Sequence, residues 1–198
     1  IEAYNNGNGT TSAALTVADY VAAGISGVSA DNVAAVNAKL LAASTGGADT
    51  GPEIQAFANA VNDALVKIEA YNNGNGITPV ALTIQDYEDA GITGVTAQNL
   101  AAVNAQVLRQ SAGGANSVSD VQTLVDAAAA ALAKIEAYNN GDGTTPAALT
   151  VTDYQAAGVT GVNTDNVAAV NANVLAQSAG GADTVASRWP PPMAPRKW

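Results

Sequence analysis

The side chains of this sequence that could bind a metal ion or move a proton are carboxylates and phenols. The chain has 198 residues and contains neither His nor Cys. Those two absences exclude Cys/His zinc clusters, disulfide bonds, thiolate nucleophiles and Ser-His-Asp triads. Hydrolysis of an activated ester or phosphoester would therefore need a divalent cation that is held by carboxylates and lowers the pKa of its bound water.

Three carboxylates are the candidate metal ligands, namely Asp86, Asp89 and Asp153. Asp86 and Asp89 are three residues apart and share one face of a predicted helix, where their oxygens could bind Zn²⁺ or Ca²⁺. The alternative interpretation is structural. Each Asp at the start of a short helix closes its cap, and the Tyr that follows packs its ring in a core. The structural interpretation is favoured, and no cofactor is expected.

A second metal hypothesis concerns residues 139–143, which read Asn-Asn-Gly-Asp-Gly. Calcium loops place Asp and Asn oxygens at alternate positions around a glycine. The match covers half a site, because Tyr138 occupies the first ligand position and Leu149 stands where a bidentate Glu belongs. The equivalent segments carry Asn8 and Asn75 in place of the acid. A turn between two helices is therefore the favoured interpretation.

The elements that carry these residues belong to a tandem repeat. The phrase IEAYNNG begins at Ile1, Ile68 and Ile135, so the period is 67 in both intervals, and other landmarks keep the same spacing. A long amphipathic helix is predicted to begin near Pro52 and to run towards Tyr71, because apolar residues recur there every three or four positions. Its second copy is rich in Ala, which favours helix.

Two shorter helices are predicted to follow the long one in each repeat. A Thr with an Asp three residues later caps the first of them, and a glycine ends it, as at Thr16, Asp19 and Gly24. The second begins after Ser29 or Thr96 and carries an apolar stripe. An Asn beside that stripe is expected to hydrogen-bond a loop carbonyl or a neighbouring helix, because burying it unpaired costs about 1–3 kcal/mol. Its three copies are Asn37, Asn104 and Asn171.

The sequence therefore predicts an all-α protein of tandem three-helix bundles, with an incomplete terminal unit. Residues 1–50 are a partial repeat that lacks most of its long helix, whereas residues 51–116 and 117–184 are three-helix repeats. The incomplete unit exposes apolar residues, so it must borrow a helix, form a homodimer through its open bundle, or stay loose.

The last segment, residues 185–198, departs from the repeat and is rich in Pro. Such a sequence forbids helix and favours polyproline II, so one interpretation is a ligand for an SH3-like groove. The favoured interpretation is that cloning left this segment as vector-encoded or out-of-frame sequence, because the composition changes abruptly where the segment begins.

The net charge of the chain argues against some classes of binding partner. The chain has 7 Lys and Arg against 17 Asp and Glu, which gives a net charge of −10. Binding of nucleic acid needs clustered basic residues, and anionic lipid repels an acidic chain. No apolar run approaches the roughly 20 residues that span a bilayer, and residue 1 does not begin a signal peptide. Neither nucleic acid nor membrane is expected as a partner.

Two phrases, ALTVADYVAAGISGVSADNVAAVNA and ALTIQDYEDAGITGVTAQNLAAVNA, resemble the GA-like three-helix repeats of giant surface proteins and adhesins of Gram-negative bacteria. The resemblance extends over residues 1–184. It implies a protein that is secreted or held at the bacterial cell surface, and a spacer or adhesive role without catalysis. It names no catalytic residue and does not identify the protein or surface that the parent protein would bind.

Two functions of different classes follow from these patterns. The first is a non-catalytic spacer or interaction module, which predicts extended particles in small-angle scattering and no turnover. The second is a fortuitous divalent-metal-dependent hydrolase of activated phosphoesters or esters, recovered as a truncated cloned fragment. It predicts a stoichiometric metal and an activity that a chelator abolishes. The sequence favours the first.

Overall fold

The computed structural model describes residues 1–6, 13–44, 46–74, 80–141 and 147–181. Every regular element within those ranges is an α-helix, and no strand occurs among them. This confirms the all-α prediction. None of the helices in the described ranges combines the length and the apolar character needed to cross a membrane.

Parts of two predictions lie outside the described residues. The segment 139–143 is described only as far as Gly141, and its equivalents Asn8 and Asn75 are not described. The proline-rich segment 185–198 lies wholly outside the described ranges. The calcium-loop hypothesis and the two interpretations of the tail therefore stay predictions.

The described helices recur with the period of the sequence, since equivalent helices begin one full period apart. In chain order they are α1 Glu2–Asn5, α2 Val17–Ala22, α3 Val33–Ala42, α4 Gly51–Asn73, α5 Ile84–Asp89, α6 Leu100–Leu108, α7 Val118–Asn140, α8 Val151–Ala156 and α9 Val167–Leu175.

The long helix α4 begins and ends within two residues of the predicted Pro52 and Tyr71. Helix α3 begins at Val33, later than the predicted start after Ser29. The Ser29 N–H donates to Asn32 Oδ1 at 2.8 Å, and this hydrogen bond closes a turn before the helix can begin. The prediction missed this delay because an Asn three residues after a Ser also fits the first turn of a helix.

The predicted cap forms at the start of α2, α5 and α8. In α8 the Asp153 N–H donates to the Thr150 hydroxyl at 3.3 Å, and the Thr150 N–H donates to the Asp153 carboxylate at 2.8 Å. Gly158 then adopts a φ of +75°, which lets the Val159 N–H donate back to the Tyr154 carbonyl at 2.9 Å. A side-chain cap at one end and a left-handed glycine at the other therefore fix a helix of only six residues.

The chain divides into two compact units. The first comprises Ile1–Gly94 with Gln110–Thr123, and the second comprises Val95–Arg109 with Leu124–Trp198. The core of the first unit is a buried cluster to which α1, α2, α3 and α4 all contribute. Its larger members are Tyr4, Tyr20, Ile25, Val36, Leu40, Ile54 and Val61.

Helix α4 packs against the helices of residues 1–50 and against α5. Its N-terminal half supplies Ile54, Ala58 and Val61 to the core that α2 and α3 share. Its C-terminal half, where Ile68 is fully buried, packs against α5. The beginning of α4 therefore shares a core with residues 1–50, and the incomplete terminal unit, with the three outcomes expected for it, stays a prediction. The boundaries at residues 50, 116 and 184 describe the sequence repeat and stay predictions.

In the second unit the C-terminal part of α7 is joined to α9 by a buried amide. Asn139 Nδ2 donates to the Val174 carbonyl at 2.7 Å. The equivalent bond in the first unit joins Asn5 Nδ2 to the Leu40 carbonyl at 2.6 Å. Helix α6 packs against α8 in the same unit. The same polar contact therefore holds α1 to α3 in the first unit and the end of α7 to α9 in the second.

Candidate functional site at the glycine junctions

A buried Tyr-Asn pair holds the short helix to the third helix. In the first unit the Tyr20 hydroxyl donates to Asn37 Oδ1 at 2.5 Å, and Asn37 Nδ2 donates to the Leu15 carbonyl at 2.8 Å. In the second unit the Tyr154 hydroxyl donates to Asn171 at 2.7 Å. Burial raises the pKa of Tyr20, so its phenol stays protonated. The expected bond from Asn37 to a loop carbonyl is confirmed.

The predicted metal ligands Asp86 and Asp153 each contact a lysine on the preceding long helix. Lys67 donates to Asp86, and Lys134 donates to Asp153 at 2.6 Å. Each carboxylate also accepts hydrogen bonds from the Thr of its cap, for example Thr83 for Asp86. The cap predicted from sequence is therefore accompanied by an ion pair that sequence reasoning missed.

The third predicted ligand, Asp89, has different partners. It accepts hydrogen bonds from Lys39 Nζ at 2.9 Å and from Gln85 at 3.1 Å. The hydrogen bond from Lys39 is the main cause that holds its pKa below the ordinary value. Asp86 and Asp89 belong to the first compact unit and Asp153 to the second. No group of three or more Asp and Glu within the described ranges could hold a metal ion, and the carboxylate metal site stays a prediction.

The ion pair at Asp153 predicts a loss of stability in acid. Partial burial raises the pKa of Asp153, but hydrogen bonds from Lys134 and Thr150 outweigh it, and the pKa lies below its ordinary value of 3.8. The folded state therefore binds this proton less readily than the unfolded state. The stabilisation is complete above the unfolded pKa and is lost as the pH falls through the lower folded pKa.

We expect Asp153→Asn to lower the urea midpoint at neutral pH and to change it much less once the pH is below the folded pKa of Asp153. Urea titrations of both proteins from about pH 7 to about pH 2 measure this convergence. Lys134→Met should reproduce the neutral-pH loss. A deficit of Asp153→Asn that is the same at every pH would contradict the assigned ion pair.

A glycine makes the closest contact between α3 and the end of α5 in the first unit. In the first unit Gly91, which follows α5, packs against Ala35 of α3. A Cβ added at Gly91 would lie 2.2 Å from the Ala35 Cβ and 2.8 Å from the Ala35 Cα. Gly91 also has a φ of +77°, a conformation that L-residues rarely adopt. Both the space and the backbone therefore demand glycine here.

The second unit contains the equivalent contact. A Cβ at Gly158 would lie 2.7 Å from the Ala102 Cα and 3.1 Å from the Ala101 carbonyl oxygen. Ala102 is fully buried. We call each of these contacts a glycine junction: Gly91 on Ala35 in the first unit, and Gly158 on Ala102 in the second. The same junction thus forms twice, at positions one sequence period apart.

A groove lies beside each junction, with a volume of about 320 Å³ in the first unit and about 450 Å³ in the second. The first groove is lined by Lys39, Glu88 and Asp89, and the second by Arg109 and by Gln155, the equivalent of Glu88. The two grooves therefore differ in charge although equivalent residues form their junctions. A ligand common to both grooves would meet no common charged group.

Sequence reasoning identified the junction glycines as helix stops but missed their packing role. The stretch of chain between Ala35 and Gly91 is too long for a helical or strand period to reveal the contact. A signal was present in the recurrence of an Ala-Ala pair in the third helix and of a Gly followed by Ile or Val after the short helix. Duplication copies neutral residues equally well, so the recurrence alone did not assign a contact.

Comparison with known proteins gives no family assignment. No family model, no curated protein and no solved structure matches the chain. The junction geometry and the chemistry of the buried side chains therefore carry the functional interpretation.

Proposed function

We propose that this chain is a non-catalytic segment of a tandem array of three-helix bundles, which serves as a spacer or interaction module of a secreted bacterial surface protein. The observation that carries the proposal is the glycine junction, which equivalent residues form in both units. A contact that recurs with the sequence period lets an array grow by whole repeats, because each repeat needs only its neighbours. The resemblance to GA-like repeats supports the location at the cell surface.

The use of the polar side chains also supports a structural role. The carboxylates of Asp86 and Asp153 are paired with lysines and close helix caps. The Tyr20 phenol is fully buried and donates to Asn37. These groups orient one helix against another, which is what a spacer requires of them.

An insertion series tests the proposal. A second copy of residues 68–134 inserted after residue 134 adds one complete repeat and keeps the 67-residue spacing between equivalent residues. We expect the free energy of unfolding and its urea dependence to rise together, because both grow with the surface buried by the new repeat. The maximum particle dimension from small-angle scattering should grow by a constant increment with each inserted repeat.

A matched control carries Gln in place of the inserted copy of Gly91. This variant has the same length and nearly the same composition, but its junction cannot close. We expect it to gain chain mass without the gain in stability per repeat. Equal stability gains for the two insertions would remove the support that the glycine junction gives to the proposed array.

A further inference from the structure

Each half of the glycine junction has an exposed copy in this chain. On the third helices, Ala35 and Ala102 are 3% and 0% exposed, because each packs against a junction glycine. The equivalent residue on α9 is Ala169, which is exposed. We call the surface formed by Ala169, Ala172, Asn173 and Ala176 the α9 face.

The complementary half is exposed at the other end of the repeat series. Ala90 and Ala157, which precede the junction glycines, are both 0% exposed, whereas their equivalent Ala23 is exposed. A Cβ added at Gly24 would meet no atom within 4 Å, although its φ of +75° matches that of Gly158. We call the surface formed by Ala18, Val21, Ala22, Ala23, Gly24 and Ser26 the Gly24 face.

We propose that the α9 face of one copy of this chain binds the Gly24 face of a second copy and forms a third glycine junction between them. The interface is heterologous, because two different surfaces meet, so a bound pair still presents one free α9 face and one free Gly24 face. The proposal deepens the proposed function, on which it rests, by naming the repeat itself as the partner. The third junction would continue the series of two junctions that the chain already contains.

The polar contacts at the existing junctions show what the new one would contain. In the second unit Gln106 Nε2 donates to the Ala156 carbonyl at 2.6 Å. The equivalent residues on the exposed faces are Asn173 and Ala22. Asn173 can donate to the Ala22 carbonyl in the same direction, but its side chain is one methylene shorter than that of Gln106. The junction between copies is therefore expected to be weaker than the junction within the chain.

Charge also favours this pairing of surfaces. The first junction has an ion pair between Lys39 and Asp89 beside it. The α9 face and the Gly24 face carry only uncharged side chains, so neither buries an unpaired charge on docking. The net charge of −10 repels copies at long range, and salt screens that repulsion. Association is therefore expected to strengthen as the ionic strength rises.

Sedimentation of the full chain from about 10 µM to about 1 mM tests the proposal. We expect the average mass to rise above that of one chain with concentration, and to rise further with salt. Ala169→Gln should weaken association by about tenfold or more, because its larger side chain blocks the close approach. The matched control is Ala168→Gln, since Ala168 and its equivalents Ala34 and Ala101 are all exposed.

Mixing two blocked variants tests that the surfaces are different. Ala169→Gln blocks the α9 face, and Ala23→Gln blocks the Gly24 face. Each variant alone should stay monomeric, and an equimolar mixture should form pairs that stop at two chains. Asn173→Gln should tighten association of the otherwise unchanged chain by restoring the length of the Gln106 side chain. Circular dichroism of every variant checks that its helices are intact.

Several outcomes would overturn the proposal. A wild-type chain that stays monomeric at high salt across the whole range would do so, as would equal losses from Ala168→Gln and Ala169→Gln. Hydrogen exchange that shows the α9 face protected in a monomer would assign its cover to residues 182–198 of the same chain instead. The insertion series could still succeed in each of these cases, so failure of self-association is distinguishable from failure of the proposed function.

Discussion

Gly91→Ala is expected to lower the free energy of unfolding by about 2–5 kcal/mol. The left-handed backbone costs an L-residue about 1–2 kcal/mol at this position. The new Cβ would also lie 2.2 Å from the Ala35 Cβ, so α3 or α5 must shift, and such overpacking costs about 1–3 kcal/mol more. Urea denaturation followed by far-ultraviolet circular dichroism measures the loss.

Gly24→Ala is the matched control for this prediction. Gly24 has a φ of +75°, close to the +77° of Gly91, but no atom lies within 4 Å of its added Cβ. We therefore expect Gly24→Ala to cost only the backbone strain of about 1–2 kcal/mol. The difference between the two variants measures the close contact by itself. Equal losses would show that the junction contributes nothing to stability.

Asn37→Leu is expected to lower the free energy of unfolding by about 2–6 kcal/mol, although leucine is similar in size and more apolar. The substitution leaves the buried hydroxyl of Tyr20 and the carbonyl of Leu15 without the partners they have in the folded chain. Each unsatisfied buried group costs about 1–3 kcal/mol. Urea titration of Asn37→Leu beside the wild-type chain measures the sum.

Tyr20→Phe and the double variant complete the test. Tyr20→Phe removes the donor of one bond and should cost about 1–3 kcal/mol, since the Asn37 oxygen is left buried. The double variant has no hydroxyl to leave unpaired, so its cost should fall below the sum of the single costs by about 1 kcal/mol. If the losses of the two single variants add up to the loss of the double variant, the hydrogen bond between the hydroxyl and the amide does not contribute to stability.

The helices were predictable because the residues that define them are close together in sequence. Thr150 and Asp153 cap a helix across three residues, and Gly158 ends it within the next turn. The apolar stripe of α4 repeats every three or four positions along the whole helix. Interactions of this range leave a periodic or motif-like pattern, which is why the helix types and most of their ends were predicted.

The packing was less predictable because its partners are far apart in sequence. The helical period that places Lys67 on α4 does not indicate that it will meet Asp86, which follows a separate link. Treating Asp86 as a free metal ligand therefore omitted its strongest partner. The contact of Ala35 with Gly91 was missed for the same reason, and it decides which surfaces of a repeat can meet another repeat.

The two packing environments of α4 have a consequence for how such a chain can lengthen. Its first half completes one core and its second half packs on the next short helix, with no break in the backbone between them. Among the described residues, the Tyr-Asn pair and the Lys-Asp pair recur at whole periods along the chain. We therefore expect an insertion of one full period to restore these contacts wherever the cut is made. Genetic recombination could therefore join two copies within a helix as well as within a loop, provided that the join keeps the 67-residue spacing.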